Sequence, residues 1–235
     1  EKDSSINEQI ELLRHSATRS LFERRDVVIV SSVSCIYGLG APDEYSAAKL
    51  EISVDQRGRS NLLKRFVELQ YKRNDLEPTR GTFRVKGNVI DIFPSHLAER
   101  GWKIVFDGDK IENIFEFDPL SAEKFFSLKH ITIYANTHYM TNPVTMKDAI
   151  KQLESDLQKQ IAYFKLQGLI VEAERIKQRT EYDIEMLLET GTCKGIENFS
   201  RYFSGRKPGE PPPTLLEYLP KDAVLFIDET IRAKI

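Results

Sequence analysis

Apolar residues recur every three or four positions in three stretches of the chain, a spacing typical of amphipathic helices. The first stretch predicts a helix over residues 6–22, and the second predicts a helix over 60–71. The third predicts a helical region over residues 143–190, which Gly168 interrupts and Gly191 ends. Each helix is expected to bury one apolar face against the rest of the molecule.

Two short runs are apolar at every position instead. They are Val27–Val30 and Ala223–Ile227, one near each end of the chain. Continuous hydrophobicity is typical of strands that are buried on both faces of a parallel sheet. The two runs therefore predict a single α/β domain that is interrupted by everything between them.

An alternating pattern marks the first interruption. In the segment Gly81–Gly87, Phe83 and Val85 face one way, whereas Arg84 and Lys86 face the other. The step Asp107-Gly108 predicts the turn of a hairpin. Further strands are expected at residues 89–93, 102–106, 110–117 and 130–134. With the 60–71 helix these strands form an α+β unit of ordinary domain size.

Charge is distributed unevenly along this unit. The whole chain has 235 residues, 40% of them hydrophobic, and a net charge of −2, so its composition does not indicate nucleic-acid binding. Residues 55–87, however, contain nine Lys or Arg against four acids, and residues 88–118 contain seven acids against three bases. The basic half fits nucleic-acid phosphates or an acidic protein surface, and a plain solvated face is the simplest alternative.

Several classes of protein are disfavoured by the composition. The two cysteines, Cys35 and Cys193, are far apart, and the four histidines show no metal-ligand spacing. No apolar run is long enough to span a membrane. We therefore expect a cytoplasmic protein without a zinc site, a disulfide framework or a membrane segment.

The apolar run near the C-terminus leads directly into Asp228 and Glu229. P-loop motors present a magnesium-orienting Asp and a water-activating Glu in this way, beside the terminal phosphate of a nucleotide. Surface acids after a strand are the commoner explanation of such a pattern. The sequence contains no G-x-x-x-x-G-K-[ST] loop, so these carboxylates predict at most an incomplete catalytic and magnesium site.

Two other stretches are candidates for DNA contact. At the end of the first apolar run, hydroxyl groups and backbone N–H groups would suit phosphate contacts, although turn formation explains them equally well. Near a triple proline, three basic residues would lie on a stiffened loop. The DNA-contact candidates are Ser31, Ser32, Ser34, Tyr37, Arg201, Arg206 and Lys207.

Five stretches together closely resemble the UvrB family, the damage-verifying subunits of the bacterial excinuclease ABC. They are RRDVVIVSSVSCIYGLG (24–40), LQYKRNDLEPTRGTFRVK (69–86), residues 89–94, GIENFSRYFSGRKPGEPPPTLLEYLP (195–220) and residues 224–229. These stretches occur in the family's order and span most of the chain. The long, unusual 195–220 stretch makes a chance match negligible.

The resemblance implies a fold in which parts of a RecA-like P-loop motor domain are interrupted by an α+β insert and a helical insert. Residues 1–43 would belong to the motor domain, 44–135 to a UvrA-interaction domain, 136–215 to a mainly helical subdomain along the DNA path, and 216–235 to the returning motor strand. The family's RND and RGTFRV stretches bind UvrA, which would give this role to Arg73, Arg80 and Arg84. Lys86 stands where the family usually has Arg, so the charge is kept but bidentate pairing is lost.

The resemblance also implies a role in nucleotide excision repair, with UvrA, damaged DNA and UvrC as partners of a full-length member. Such a member would use ATP and magnesium, and the present chain, interpreted as an internal fragment without the phosphate-binding loop, is expected to bind neither tightly. Alternatives are the UvrA-docking module of a transcription-repair coupling factor, a binding-only adapter derived from a decayed motor, and an autonomous ATPase or nuclease. The last would need a phosphate loop or a cluster of metal carboxylates.

Overall fold

The computed structural model describes residues 8–140, 143–191 and 193–228. The helices are α1 (Glu8–Glu23), α2 (Pro42–Ala47), α3 (Arg59–Glu68), α4 (Pro143–Leu166), α5 (Ile170–Thr190) and α6 (Ser200–Ser204). The strands are β1 (Lys49–Ser53), β2 (Lys72–Arg73), β3 (Thr82–Lys86), β4 (Val89–Phe93), β5 (Gly101–Asp107), β6 (Lys110–Phe117), β7 (Lys124–Leu128) and β8 (His130–Tyr134). Short 3-10 helices cover Val33–Ile36, Ile196–Phe199 and Leu215–Tyr218. The chain is thus mixed α and β, as expected.

A six-stranded sheet in the order β2-β3-β4-β5-β6-β7 dominates the first half of the chain. Its strands are antiparallel except for β2, which pairs with β3 in parallel. Strands β1 and β8 form a separate antiparallel pair. The predicted hairpin is confirmed, with Gly108 at a positive φ in its turn.

Helix α3 covers one face of the six-stranded sheet. Leu62 and Phe66 lie one turn apart on the helix, and both are buried. The Phe66 ring contacts the rings of Tyr71 and Phe83 at centroid distances of 6.4 and 5.4 Å. Apolar side chains on the inner face of the sheet complete this main core, so burial fixes which face of β3 points outward.

Helices α4 and α5 form an antiparallel hairpin with a smaller core of its own. Gly168, at a φ of 74°, breaks the helical region between them, and Gly191, also at 74°, caps α5, both as predicted. Helix α6 packs against α4. No helix in the described part of the chain combines the length and hydrophobicity that a membrane span needs.

Helix α1, at the start of the described chain, contacts the 3-10 helix Leu215–Tyr218 near its end. Phe22 of α1 contacts Tyr218 edge to face at 5.6 Å, and the Tyr218 hydroxyl donates to the carbonyl oxygen of Gly40 at 2.9 Å. Leu215 and Tyr218 both belong to the main core. The segment after the helical hairpin therefore returns to the place where the chain starts.

The two predicted buried parallel strands are wrong for the described chain. Residues 27–30 and 223–227 have no regular secondary structure, and neither run forms a β-ladder with any described residue. Val28 and Val30 are 90% and 94% exposed, and Phe226 and Ile227 are 89% and 87% exposed. A parallel strand is buried only when other strands flank it and helices cover its faces, and the described residues supply neither to these runs. The RecA-like arrangement stays a prediction.

Candidate docking and nucleic-acid surfaces

Arg73 lies on the short edge strand β2 and is exposed. Its Nε and Nη2 atoms pair with one carboxylate oxygen of Asp75, at 2.9 and 2.8 Å. The other oxygen of Asp75 accepts the backbone N–H of Val85 at 2.8 Å. The hydrogen bonds from Arg73 and then Val85 lower the pKa of Asp75, so the carboxylate stays charged and ties Arg73 to strand β3.

Arg84 projects from β3 on the face opposite to the main core, as the alternation predicted. Its Nε donates to Asp91 on β4 at 2.7 Å, and Lys103 on β5 donates to the other oxygen of Asp91, also at 2.7 Å. Asp91 is 2% exposed, whereas the Arg84 side chain is 18% exposed. Arg84 is thus a partly covered cation in a fixed orientation.

The other two candidate docking residues differ from each other. Lys86 ends β3 and is exposed, with no hydrogen bond or ion pair among the described residues. Arg80 is half-buried, and it donates to the backbone oxygens of Ser95 and Glu8 at 3.0 and 2.8 Å. Arg80 therefore joins the α+β unit to the start of α1, and this contact occupies much of its hydrogen-bonding capacity. The structure thus places Arg73, Arg84 and Lys86 on or beside β3 and assigns Arg80 an internal contact.

The candidate DNA residues after the first apolar run lie on the 3-10 helix Val33–Ile36 and next to it. Ser31, Ser32 and Ser34 are exposed, and the hydroxyls of Ser32 and Ser34 lie 2.9 Å apart. Tyr37 is exposed as well, and its carbonyl accepts from Arg14 at 2.8 Å. These groups thus follow the first apolar run, as the sequence predicted, but that run is not a strand in the described chain.

Of the three basic DNA-contact candidates near the triple proline, two are fixed by ion pairs and the third is not. Arg201 pairs with Asp156 of α4 at 2.7 Å, and its guanidinium lies over the Tyr202 ring at 4.2 Å. Arg206 pairs with Glu217 at 2.6 Å and also donates to the carbonyl of Pro211, which closes the proline-rich loop. Lys207 is exposed, and its backbone N–H, not its side chain, is held by Glu210. Lys207 is therefore the most accessible of the three cations.

Asp228 is exposed at the end of a segment without regular secondary structure, and Glu229 lies outside the described residues. Asp228 does make an interaction within the chain, but the described residues around it include no loop for nucleotide phosphates. An incomplete site for a nucleotide and magnesium at Asp228 and Glu229 therefore stays a prediction.

A histidine cluster that the sequence analysis missed lies between α1 and the segment after β8. Ligand atoms of Glu11, His15 and His138 all lie within 4.8 Å of one another. The two rings, however, are stacked with centroids 4.0 Å apart and planes at 16°. Since ring-nitrogen lone pairs lie in the ring plane, stacked rings do not aim them at one ion, and this geometry does not fit a metal.

Burial explains the state of these rings. It lowers the pKa of His15 to about 3, helped by the nearby Arg80 and Arg14, and it lowers the pKa of His138 well below its usual value. Nε2 of His138 lies 3.2 Å from the Thr18 hydroxyl. The cluster is thus a neutral packing contact between elements that are far apart in sequence. The i, i+4 pair Glu11 and His15 was its only visible signal in the sequence.

Two family models match this chain. One, described as the UvrB interaction domain, matches residues 50–139, which contain the six-stranded sheet and its basic side chains. The other, described as the UvrB third helical domain, matches residues 144–205, which contain α5, α6 and nearly all of α4. Together they cover more than half of the chain and indicate a UvrB-type role in nucleotide excision repair. The chain therefore belongs to the UvrB family.

Proposed function

We propose that the surface around β2 and β3 binds UvrA, and that this docking is the chain's main contribution to nucleotide excision repair. The observation that carries the proposal is the placement of Arg73, Arg84 and Lys86 together on or beside β3, within the matched interaction domain. Arg73 and Arg84 are each oriented by an ion pair, and cations held in this way are suited to an acidic protein surface, since complementary charge steers association and sets the register of the partners.

Few aromatic side chains are exposed on the surface around β2 and β3, which favours a protein partner over single-stranded DNA. The Phe83 ring is buried in the core and the Phe93 ring is covered, so neither offers a face on which a base could stack. Binding to duplex phosphates is the remaining alternative, and it would show a steep dependence on salt.

Calorimetric titration of UvrA with the chain tests this proposal. We expect Arg73→Ala and Arg84→Ala each to weaken binding by about tenfold, in line with loss of a charged contact in an interface. Arg100→Ala is the matched control, because Arg100 is also ion-paired on the same sheet, with Glu116, but lies outside the β2–β3 cluster. Unchanged binding by the Arg73 and Arg84 double variant would refute the proposed docking site.

We further propose that two separate segments contribute weak DNA contacts: Lys207 after the helical region, and the hydroxyls of Ser31, Ser32, Ser34 and Tyr37 near the start of the chain. The support is their common exposure on turns that no described element covers.

In a complete motor the segment ending in Asp228 and Glu229 would supply carboxylates for ATP and magnesium, with UvrC recruited after loading onto damaged DNA. ATP titration of the chain itself is expected to show no micromolar binding.

A further inference from the structure

Asp91 occupies the centre of the outer face of the six-stranded sheet. The strand register places Arg84, Asp91 and Lys103 directly side by side on β3, β4 and β5. Asp91 is buried, and both of its oxygens are used, one by the Nε of Arg84 and one by the Nζ of Lys103, each at 2.7 Å. One carboxylate thus fixes two cations.

Two phenylalanine rings lie against these cations. The guanidinium carbon of Arg84 lies 5.8 Å from the ring centroid of Phe93, and the Nζ of Lys103 lies 4.4 Å from that of Phe117. Phe93 and Phe117 are themselves buried, and they pack edge to face at 6.0 Å, apart from the main core. The Arg84 side chain is therefore held at one nitrogen and along one face.

What remains accessible on Arg84 is the outer edge of its guanidinium. Its two terminal nitrogens make no hydrogen bond within the described part of the chain, whereas the Nε is occupied. Two terminal N–H groups side by side match the two oxygens of a carboxylate. The group of Arg84, Asp91 and Lys103 carries a net charge of +1, since Lys103 offsets the charge of Asp91.

We infer that Asp91 is a positioning residue for docking, which holds Arg84 so that its terminal nitrogens face a carboxylate of the partner's acidic surface. The inference rests on the proposed binding of UvrA. An unheld arginine would lose side-chain freedom when the complex forms, and fixing it beforehand removes that cost. Asp91 would thus strengthen binding to an acidic partner, although it is itself an acid.

A positioning role for Asp91 predicts a change in binding affinity opposite to the one expected from net charge alone. Asp91→Asn raises the net charge of the surface by one, so a purely electrostatic account expects tighter binding to an acidic partner. The positioning role expects weaker binding, by about two- to tenfold, which corresponds to the cost of immobilising one long side chain. Asp91→Glu keeps the charge but displaces the carboxylate, and we expect it to weaken binding in the same direction.

The experiment is a double-mutant cycle by calorimetry with purified UvrA, using wild type, Asp91→Asn, Arg84→Ala and the combination. Asp91→Asn should weaken binding in the wild-type background and have no further effect once Arg84 is Ala. Circular dichroism and thermal unfolding check each variant's fold, and Asp91→Glu replaces Asp91→Asn if the latter does not fold. Unchanged or tighter binding by the folded Asp91 variant would overturn the inference.

The outcomes separate the inference from the function on which it rests. Weakening by Arg73→Ala and Arg84→Ala, without weakening by Asp91→Asn, overturns the positioning role and leaves UvrA docking intact. Equal weakening by Asp91→Asn in both backgrounds also overturns it, because the effect would then not act through Arg84. Wild-type binding by the Arg73 and Arg84 double variant overturns the docking proposal itself.

Discussion

Single buried residues join parts of this chain that are distant in sequence. Three of the four histidines, His15, His96 and His138, are buried, and burial lowers the pKa of His15 and His96 to about 3 and that of His138 well below 6.5. Glu11, 3.7 Å from His15, favours protonation, but burial and the neighbouring arginines outweigh it. The three rings are therefore neutral in the folded protein at neutral pH.

These lowered pKa values predict a loss of stability in mild acid. Above pH 6.5 the rings are neutral in both folded and unfolded chains and contribute no pH dependence. Below pH 6.5 the unfolded chain takes up protons that the folded chain does not bind, so the free energy of unfolding falls until the pH reaches about 3. Urea titrations should show a loss of about 2 kcal/mol per buried histidine between pH 7 and pH 5.

His130 provides the control for this pH dependence, because it is exposed on β8. The His130→Gln variant should keep the full acid dependence, whereas His15→Gln should reduce it. A pH dependence that is equal in both variants would contradict the assignment to buried rings.

Gly40 marks a second contact at the same junction. Its N–H donates to the carbonyl oxygen of His138 at 3.1 Å, and a Cβ at this position would lie 2.4 Å from that oxygen. Since the obstacle is backbone rather than a flexible side chain, Gly40→Ala should cost about 3 kcal/mol.

The matched variant for Gly40 is Gly87→Ala. Gly87 has open space around its missing Cβ, and only its φ of 59° opposes a side chain. We expect Gly87→Ala to lower the free energy of unfolding by about 1 kcal/mol. If chemical denaturation shows equal losses of unfolding free energy for Gly40→Ala and Gly87→Ala, the close approach of the His138 carbonyl does not explain the glycine at position 40.

At the scale of elements, Asp156 of α4 holds helix α6 through two hydrogen bonds. Asp156 accepts from Arg201 at 2.7 Å and from the Tyr202 hydroxyl at 3.1 Å, and the hydrogen bonds from Arg201 and then Lys159 lower the pKa of Asp156 to about 2. This contact gives Arg201 a structural role, and its predicted DNA contact stays a prediction.

The two roles are separated by comparing Arg201→Ala with Lys207→Ala. Removal of Arg201 should lower the free energy of unfolding by about 1 kcal/mol, the usual scale of a half-exposed ion pair. Lys207→Ala should leave unfolding unchanged and weaken DNA binding in fluorescence anisotropy. If Arg201→Ala weakens DNA binding without any loss of stability, Arg201 acts as a DNA contact after all.

The sequence predicted those elements whose pattern is set locally. Residues 82–86 alternate because one face meets the core, and Gly168 and Gly191 supply positive φ values where helices end. It missed β7, whose exposed residues carry no alternation of burial, and the two-residue strand β2. The triad of Arg84, Asp91 and Lys103 was also missed, because strand register rather than sequence spacing brings it together.

At the scale of the whole molecule, burial depends on neighbours that a local pattern does not specify. Val27–Val30 and Ala223–Ile227 have the composition of buried strands, yet the described residues cover Val27 and Ile29 only in part and leave the other residues of both runs exposed. The ion pair of Arg25 with Asp222, at 2.5 Å, brings the starts of the runs together. Among the residues that the structure describes, both apolar runs thus lack a strand partner, where the sequence predicted a parallel sheet.

This arrangement predicts self-association of the isolated chain. Exposed segments without a strand partner offer N–H and C=O groups to another chain, and apolar side chains add to the gain from pairing. Sedimentation velocity over a range of concentrations should therefore show a concentration-dependent species larger than the monomer. The double variant Val28→Lys and Phe226→Lys should remove it without loss of stability, because both side chains are exposed. Leu120→Lys is the matched control: Leu120 is 97% exposed but lies in the β6–β7 loop, so its substitution should leave association unchanged. A chain that stays monomeric at all concentrations, or equal association of all variants, would show that these runs do not pair between molecules.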